Sequence, residues 1–254
     1  MEFCRSECGK YKIECLTAAT AAGALKVMKE AFCQDEAVCK GCEIDTNPTA
    51  AEELLELCAD AALDNASLVA VEISTGEVVA AAFNKIQVAV KDSKPFFEVF
   101  AEERCSNESS KSLVFFMADA DGQCDLFGKY GVDCSLEIMF LATLREHRGH
   151  NLATLLCKAS IDLAKKLKDG PIVPLTPKDL GPKYAMLKSN SYNTYPKLCS
   201  AIWTAGASQR VGQKLNFKVE KTISFDEYSH NGKTYLERLG GNPAFCEIAA
   251  VSLY

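Results

Sequence analysis

Apolar side chains recur with two spacings in this 254-residue chain, one suited to strands and one to helices. Tyr11-Lys-Ile-Glu-Cys-Leu16 alternates with period two and reads as a first strand. Thr17 then stands where a helix is capped, and Leu25, Met28 and Phe32 mark one face of Ala18 to Phe32. Asn47-Pro48-Thr49 opens a second helix, since proline fits a first turn whose amides lack partners anyway. Leu54, Leu55, Leu57 and Cys58 form its apolar side. Ser67 to Ile73 and Val78 to Val88 flank Ser74-Thr-Gly-Glu77, two strand-forming runs around a short turn, and predict a hairpin. Between 89 and 134, Phe96, Phe97, Val99 and Phe100, then Leu113 to Met117, predict two helical pieces that cover a sheet.

A long strand follows from Leu136 to Leu144. From about Asn151 to Leu167 a helix places Leu152, Leu155, Leu156, Ala159, Leu163 and Leu167 on one side. It ends Lys-Lys-Leu-Lys-Asp-Gly170, with cations in the last turn and a glycine stop. Residues 170–196 contain Pro171, Pro174, Pro177, Pro182 and Pro196 and read as an inserted loop, because strand-like residues resume over Lys197 to Trp203. A helix over Ala205 to Leu215 and strands over Lys218 to Phe225 and Glu247 to Leu253 complete the chain. The order β-α-α-β-β-(helical cover)-β-α-β-α-β-β predicts one α/β (α+β) domain over 1–254, with its core in 10–254. Its sheet is expected to be mixed and mostly antiparallel, with helices on both faces.

Composition and charge mainly exclude. Apolar residues at 48% and charged residues at 24% allow a packed core and rule out a disordered chain. A net charge of −6 disfavours phosphate backbones, so no nucleic-acid partner is expected, and a cationic small molecule is better suited. No window approaches the ~18 apolar residues of a spanning helix, and MEFCRSECGKYKIE lacks the apolar stretch of a leader. A cytoplasmic monomer without a membrane partner is the expectation. In that setting the 13 cysteines are expected as reduced thiols. Cys39 and Cys42, joined by Cys4 and Cys8, are the sharpest zinc candidates, but the two pairs are unequally spaced for a tetrahedral ribbon, and no metal is expected.

The run Leu141-Ala-Thr-Leu-Arg-Glu-His-Arg-Gly-His-Asn-Leu-Ala153 joins the long strand to the amphipathic helix. A tight turn there leaves the first helical N–H groups unpaired at the positive end of the helix dipole, which suits a pyrophosphate. Arg148 adds a cation, and Gly149 permits close backbone approach. His147 and His150 flank Arg148, where they either touch phosphate or stand exposed. Taken alone, such a turn also occurs in proteins that bind nothing.

This run resembles the cofactor motif of the GCN5-related N-acetyltransferase (GNAT) superfamily: Arg or Gln, two residues, Gly, one residue, then Gly or Ala. The pattern falls on Arg148 to Ala153, with Asn151 in place of the central glycine. Ala31-Phe-Cys-Gln-Asp-Glu-Ala-Val38 is similar to the Phe-x-x-Asp-Glu-Pro-Leu stretch of invertebrate arylalkylamine N-acetyltransferase-like enzymes, with Ala37 for proline. Trp203 to Phe217 is similar to that family's Ser-x-x-x-Ser-(x6)-Leu-Gly-Phe segment, with Thr204 for the first serine and Asn216 for the glycine. Lys233-Thr-Tyr-Leu-Glu-Arg238 adds a further likeness.

The resemblance implies the GNAT fold and transfer of acetyl from acetyl-CoA to the primary amine of a small arylalkylamine. It also implies roles. Leu141, Ala142 and Thr143 would pair with the pantetheine arm, and Arg148, Gly149, His150, Asn151, Leu152 and Ala153 would hold the pyrophosphate. Glu36 would be the general base, and Ser208 or Thr204 would return a proton to the thiolate; Tyr192 and Tyr195 have less support. Each residue has a plainer alternative: a solvated acidic stretch for Glu36, an N-cap for Thr204 and an early-helix hydroxyl for Ser208. Cys157 is expected in the core rather than as a nucleophile, and Trp203 is either a pocket wall or core. The amine pocket is expected among residues 33–46, 89–134 and 170–196, with Phe96, Phe97, Phe115, Phe116, Tyr184, Tyr192 and Tyr195 as walls or as core. A polyamine substrate, or an acyl-CoA-binding module without activity, are the competing functions.

Overall fold

The computed structural model describes residues 1–89, 94–170 and 174–254; Pro171 lies outside them. Strands β1 (Glu2–Arg5), β2 (Tyr11–Cys15), β3 (Leu68–Glu72), β4 (Val78–Val88), β5 (Cys134–Thr143), β6 (Leu198–Trp203), β7 (Lys218–Ser224) and β10 (Phe245–Ser252) form one sheet in the order β1-β2-β3-β4-β5-β6-β10-β7. A two-stranded ribbon, β8 (Ser229–His230) with β9 (Lys233–Thr234), lies between β7 and β10 in the chain. Every neighbouring pair in the large sheet is antiparallel except β5 and β6.

That parallel pair is short. Ser135 faces Leu198, Leu136 faces Cys199 and Glu137 faces Ser200, and then the pairing stops although both strands continue, to Thr143 and Trp203. The strands therefore splay and leave a wedge in the middle of the sheet. A bulge sharpens it. Phe83 of β4 faces Phe140 and Asn84 faces Ile138, which leaves Met139 unpaired. Side chains before and after the bulge consequently change phase: Leu136 and Ile138 pack on one face, Phe140 and Ala142 on the other.

Helices cover both faces. On one lie α1 (Ala18–Val27), a π-helical turn at Met28–Phe32, α2 (Cys33–Asp35), α3 (Ala37–Gly41), α4 (Pro48–Ala62), α5 (Phe96–Arg104) and α6 (Glu108–Gly122), sharing a core with Phe83, Phe140 and Ile248. A short helix, α7 (Leu126–Tyr130), leads into β5. On the other face lie α8 (Leu152–Lys166) and α9 (Gly206–Lys214), packed on Ile138, Cys199 and Trp203 and, through a second stripe of α8, on Ile13 and Leu68. A single turn, α10 (Tyr235–Arg238), precedes β10.

The predicted order holds, with local differences. Strand β1 was not expected: its four residues pair with β2 at the sheet edge and carry no run of buried positions. Asn47 caps α4 by accepting from the Ala50 amide, with Pro48 in the first turn, as the sequence indicates. The 170–196 segment forms short 3-10 turns at Pro177–Leu180 and Pro182–Tyr184. It is a strap, not a free loop. Leu175, Leu180, Tyr184 and Leu187 enter the core under α1 and α4, and Asn190 and Tyr192 both donate to Asp64, at 2.7 and 2.9 Å.

Candidate active site

The splay opens into a cleft of about 830 Å³ that runs from α6 on one face to α8 and α9 on the other. Its two ends differ chemically. At the α8 end, Asn151 adopts φ 60° and ψ 19°, a left-handed turn that asparagine tolerates better than most residues. Gly149 precedes it at φ 82°. No side chain caps α8, and among the described residues the backbone N–H groups of Gly149 to Thr154 have no protein acceptor. Leu152, Ala153 and Thr154 line the cleft there. Uncapped donors on a 15-residue helix aimed into a cleft make a receptor for an anion. Arg148, Arg210 and Lys214 ring the same end, adding cations suited to a phosphorylated ligand.

Arg148 is already engaged. Its guanidinium donates to the Thr143 carbonyl at 3.1 Å and to Asp35 at 2.5 Å, and Arg145 also binds Asp35. Hydrogen bonds from the two guanidiniums, chiefly that of Arg145, hold the Asp35 carboxyl down at about 2. This clamp ties the end of α2 to the phosphate-type turn. His147 lines the cleft beside it and shares a 3.0 Å hydrogen bond with the Tyr11 hydroxyl. His150, predicted at the phosphate, does not line the cleft; it lies against the Tyr11 ring, 5.3 Å between centroids. The backbone turns left-handed immediately after it, at Asn151, which a sequence motif does not convey.

Near the middle, Glu36 and Thr204 meet although 168 residues separate them: the Thr204 hydroxyl donates to Glu36 Oε1 at 2.6 Å. Glu36 Oε2 accepts from the Cys39 amide at 2.7 Å, so the carboxylate caps α3 while its other oxygen faces the cleft. The competing assignments of both residues therefore fail. Glu36 is half-buried and bonded, not a solvated surface acid, and Thr204 does not cap α9, whose N-cap is Ala205. Ser208 also lines the cleft, but its hydroxyl donates to the Ala205 carbonyl at 2.8 Å and so stabilises the first turn of α9. Burial first, and the Glu36 charge second, push the Cys33 thiol up to about 12, which leaves it a poor nucleophile.

The α6 end is apolar. Phe32, Val38, Leu113, Phe116, Met117 and Phe140 line it. Of the seven aromatic residues expected in this wall, only Phe116 is there. Phe97 is core, Phe115 is exposed on the outer side of α6, Tyr184 is buried in the strap, and Phe96, Tyr192 and Tyr195 lie elsewhere. No described residue of 170–196 lines the cleft. The strap packs against α1 and α4 instead, drawn there by its apolar residues and by Asp64. Trp203 satisfies both of its readings, being buried and at the cleft wall. Cys157 is buried core, and Cys42 bonds to the Tyr235 hydroxyl at 2.9 Å.

One lining residue escaped the sequence reading. Glu137 sits on β5 where pairing with β6 ends, buried to 3% exposure, and burial pushes its carboxyl up to about 7. Strand alternation alone would group it with Met139 and Leu141. The bulge brings Phe140 onto that face in place of Leu141, toward the apolar end of the cleft.

The chain has the GNAT fold. No family model matches its sequence, and no curated protein matches it. Solved structures do. Arylalkylamine N-acetyltransferase 2 from Aedes aegypti superposes with a TM-score of 0.72 over 96% of this chain and 99% of its own, at 19% identity. The putative arylalkylamine N-acetyltransferase 7 of the same mosquito gives 0.69 over 96% and 88%, at 18% identity. A Drosophila melanogaster polyamine N-acetyltransferase that forms N-acetylagmatine gives 0.65 over 95% and 99%, at 14% identity.

Proposed function

We propose that this protein is an acetyl-CoA-dependent N-acetyltransferase acting on a small arylalkylamine. One observation carries the reading: a single cleft joins an uncapped helix N-terminus, suited to a pyrophosphate, to a bonded carboxylate–hydroxyl pair beside an apolar chamber. The likeness to solved acetyltransferases adds support at the level of fold.

Arg148, the amides of Gly149 to Thr154 and the free edge of β5 at Leu141 to Thr143 would hold the cofactor's diphosphate and pantetheine arm. Acetyl-CoA supplies an activated thioester. The protein must supply a neutral amine, and an alkylamine with a pKa near 10 is deprotonated in only about one molecule per thousand at pH 7. Glu36 attracts the cation and accepts its proton. Beyond Glu137, the β6-facing backbone groups of β5 have no strand partner and can support charge on a carbonyl oxygen. Thr204, bonded to Glu36, is placed to pass a proton toward a departing thiolate, whereas the Ser208 hydroxyl would first have to leave the Ala205 carbonyl.

The test is calorimetric titration with coenzyme A, followed by thiol-release assays on dopamine, serotonin, tyramine, octopamine and polyamines. Acetylation of an arylalkylamine is expected. Tight coenzyme A binding with no product from any amine would identify a silent acyl-CoA-binding module instead. Arg148→Ala is expected to weaken coenzyme A about tenfold by removing a charge-assisted contact, and an unchanged Kd would remove Arg148 from the phosphate site.

A further inference from the structure

The far end of the amine chamber holds a buried carboxyl group that the protein itself leaves short of partners. Lys85, buried beside Glu137 on β4, is its nearest cation across the strand pair. Its ammonium group is committed elsewhere: to Asp64 at 3.0 Å, to Asp60 at 3.3 Å and over the Phe96 ring at 4.3 Å. One lysine therefore already serves two carboxylates. Glu137 is left with a single hydrogen bond, from Gln87 to Oε2 at 2.9 Å, and among the described residues Oε1 accepts none. Asp121, near the C-terminal end of α6, makes the deficit larger. Desolvation, then the Glu137 charge, raises its carboxyl. A buried carboxylate without a counter-charge either takes up a proton or draws a donor from a ligand.

Position says which part of a ligand would arrive. On β6, Ser200 faces Glu137, and Thr204, four residues further along, binds Glu36. Four strand residues span about 13 Å. That separation matches an amine held at Glu36 with a polar group at its opposite end reaching Glu137, the body of the molecule lying among Phe32, Phe116 and Phe140.

We propose that Glu137 is a specificity-determining residue that selects amines bearing a second hydrogen-bond donor at their far end. The donor is a phenolic hydroxyl on an arylalkylamine, or an ammonium or guanidinium on a diamine. An amine ending in hydrocarbon leaves Oε1 unpaired and is disfavoured. The proposal rests on the acetyltransferase reading for its substrate class and on the chamber's geometry for the residue.

The experiment compares matched amines that differ only at the far end, tyramine with phenethylamine and agmatine with pentylamine, on wild-type protein, Glu137→Gln and Glu137→Leu. Both kcat/KM and the Kd of each amine, by calorimetry on protein saturated with coenzyme A, are measured. The wild type is expected to favour the donor-bearing member of at least one pair by about tenfold or more. In Glu137→Leu that ratio should fall to within about threefold, through a rise in KM and Kd of the donor-bearing amine. Glu137→Gln, which keeps an acceptor, should retain preference for the phenol and lose it for the guanidinium. The two pairs thus distinguish a phenol from a cation. An unchanged ratio in Glu137→Leu overturns the inference. So does an equal loss of kcat on both members with Kd unmoved, which would place Glu137 at the reacting nitrogen. If no amine is acetylated but the Kd ratio still depends on Glu137, the activity falls and the selectivity stands. Acetylation with no dependence on Glu137 leaves the activity and removes the inference.

Discussion

Glu36 performs two structural tasks with its two oxygens, and this division makes it suitable for a third. Oε2 caps α3 and fixes the side-chain rotamer; Oε1 is held by Thr204 at the cleft. A carboxylate oriented in this way loses little entropy when a ligand arrives. Glu36→Gln keeps an oxygen to accept from the Cys39 amide and an N–H that can donate to the Thr204 hydroxyl, so the fold should survive while proton acceptance is lost. The expected result is a drop in kcat of about 100-fold or more with the coenzyme A Kd within about twofold of wild type, measured by thiol release and calorimetry. Turnover unchanged across pH 6–9 would exclude Glu36 as the base. Thr204→Val tests the other partner: a fall in kcat larger than that of Ser208→Ala is expected, because only Thr204 contacts the carboxylate.

At the scale of elements, the site depends on three interruptions of regular structure: the end of β5–β6 pairing, the bulge at Met139, and the left-handed entry into α8. Two of the chain's departures from the family pattern, Asn151 and Asn216, both adopt φ near 60° where the family carries glycine. Asparagine preserves a backbone that most other side chains would strain. Asn151→Gly should therefore leave stability nearly unchanged. Asn151→Val should cost about 1–2 kcal/mol in urea unfolding and weaken coenzyme A, because a β-branched residue resists that conformation. Equal stability of the two variants would show that the turn is not held left-handed.

Across the whole molecule, the cleft's acids set opposite pH dependences. Glu137 is raised from its ordinary range to about 7, so its neutral form is favoured in the folded state. Its contribution is fully present below pH about 4.5 and is lost as pH rises through 7. Asp35 is lowered to about 2, so its clamp on Arg145 and Arg148 contributes above pH about 4 and is lost as pH falls toward 2. Unfolding temperatures between pH 4.5 and 7.5 should decline less in Glu137→Gln than in wild type. Between pH 4 and 2 Asp35→Asn should decline less than wild type, in smaller measure, because that cluster is largely solvent-screened. Parallel curves for wild type and either variant would refute that residue's share.

Local periodicity was enough to place nearly every long element, because 3.6- and 2-residue repeats of apolar residues report which face must leave water whatever the partner is. The hairpin of β3 and β4, the capped α4 and the amphipathic α8 were legible for that reason, and the motifs at 31–38, 148–153 and 203–217 located Glu36, Thr204 and the anion-type turn. What the chain order could not convey were matters of long-range packing. The strap at 170–196 packs on α4 and bonds to Asp64 just beyond it rather than walling the cleft, and the seven aromatics sort between core, surface and chamber by contacts far away in sequence. Glu137 reads as an ordinary polar position of a strand until a one-residue bulge brings Phe140 onto its face and the strand beside it departs. Burial of a charge, its neighbours and its free lone pair are properties of assembled surfaces, so they arise only once β4, β5, β6 and α6 have come together.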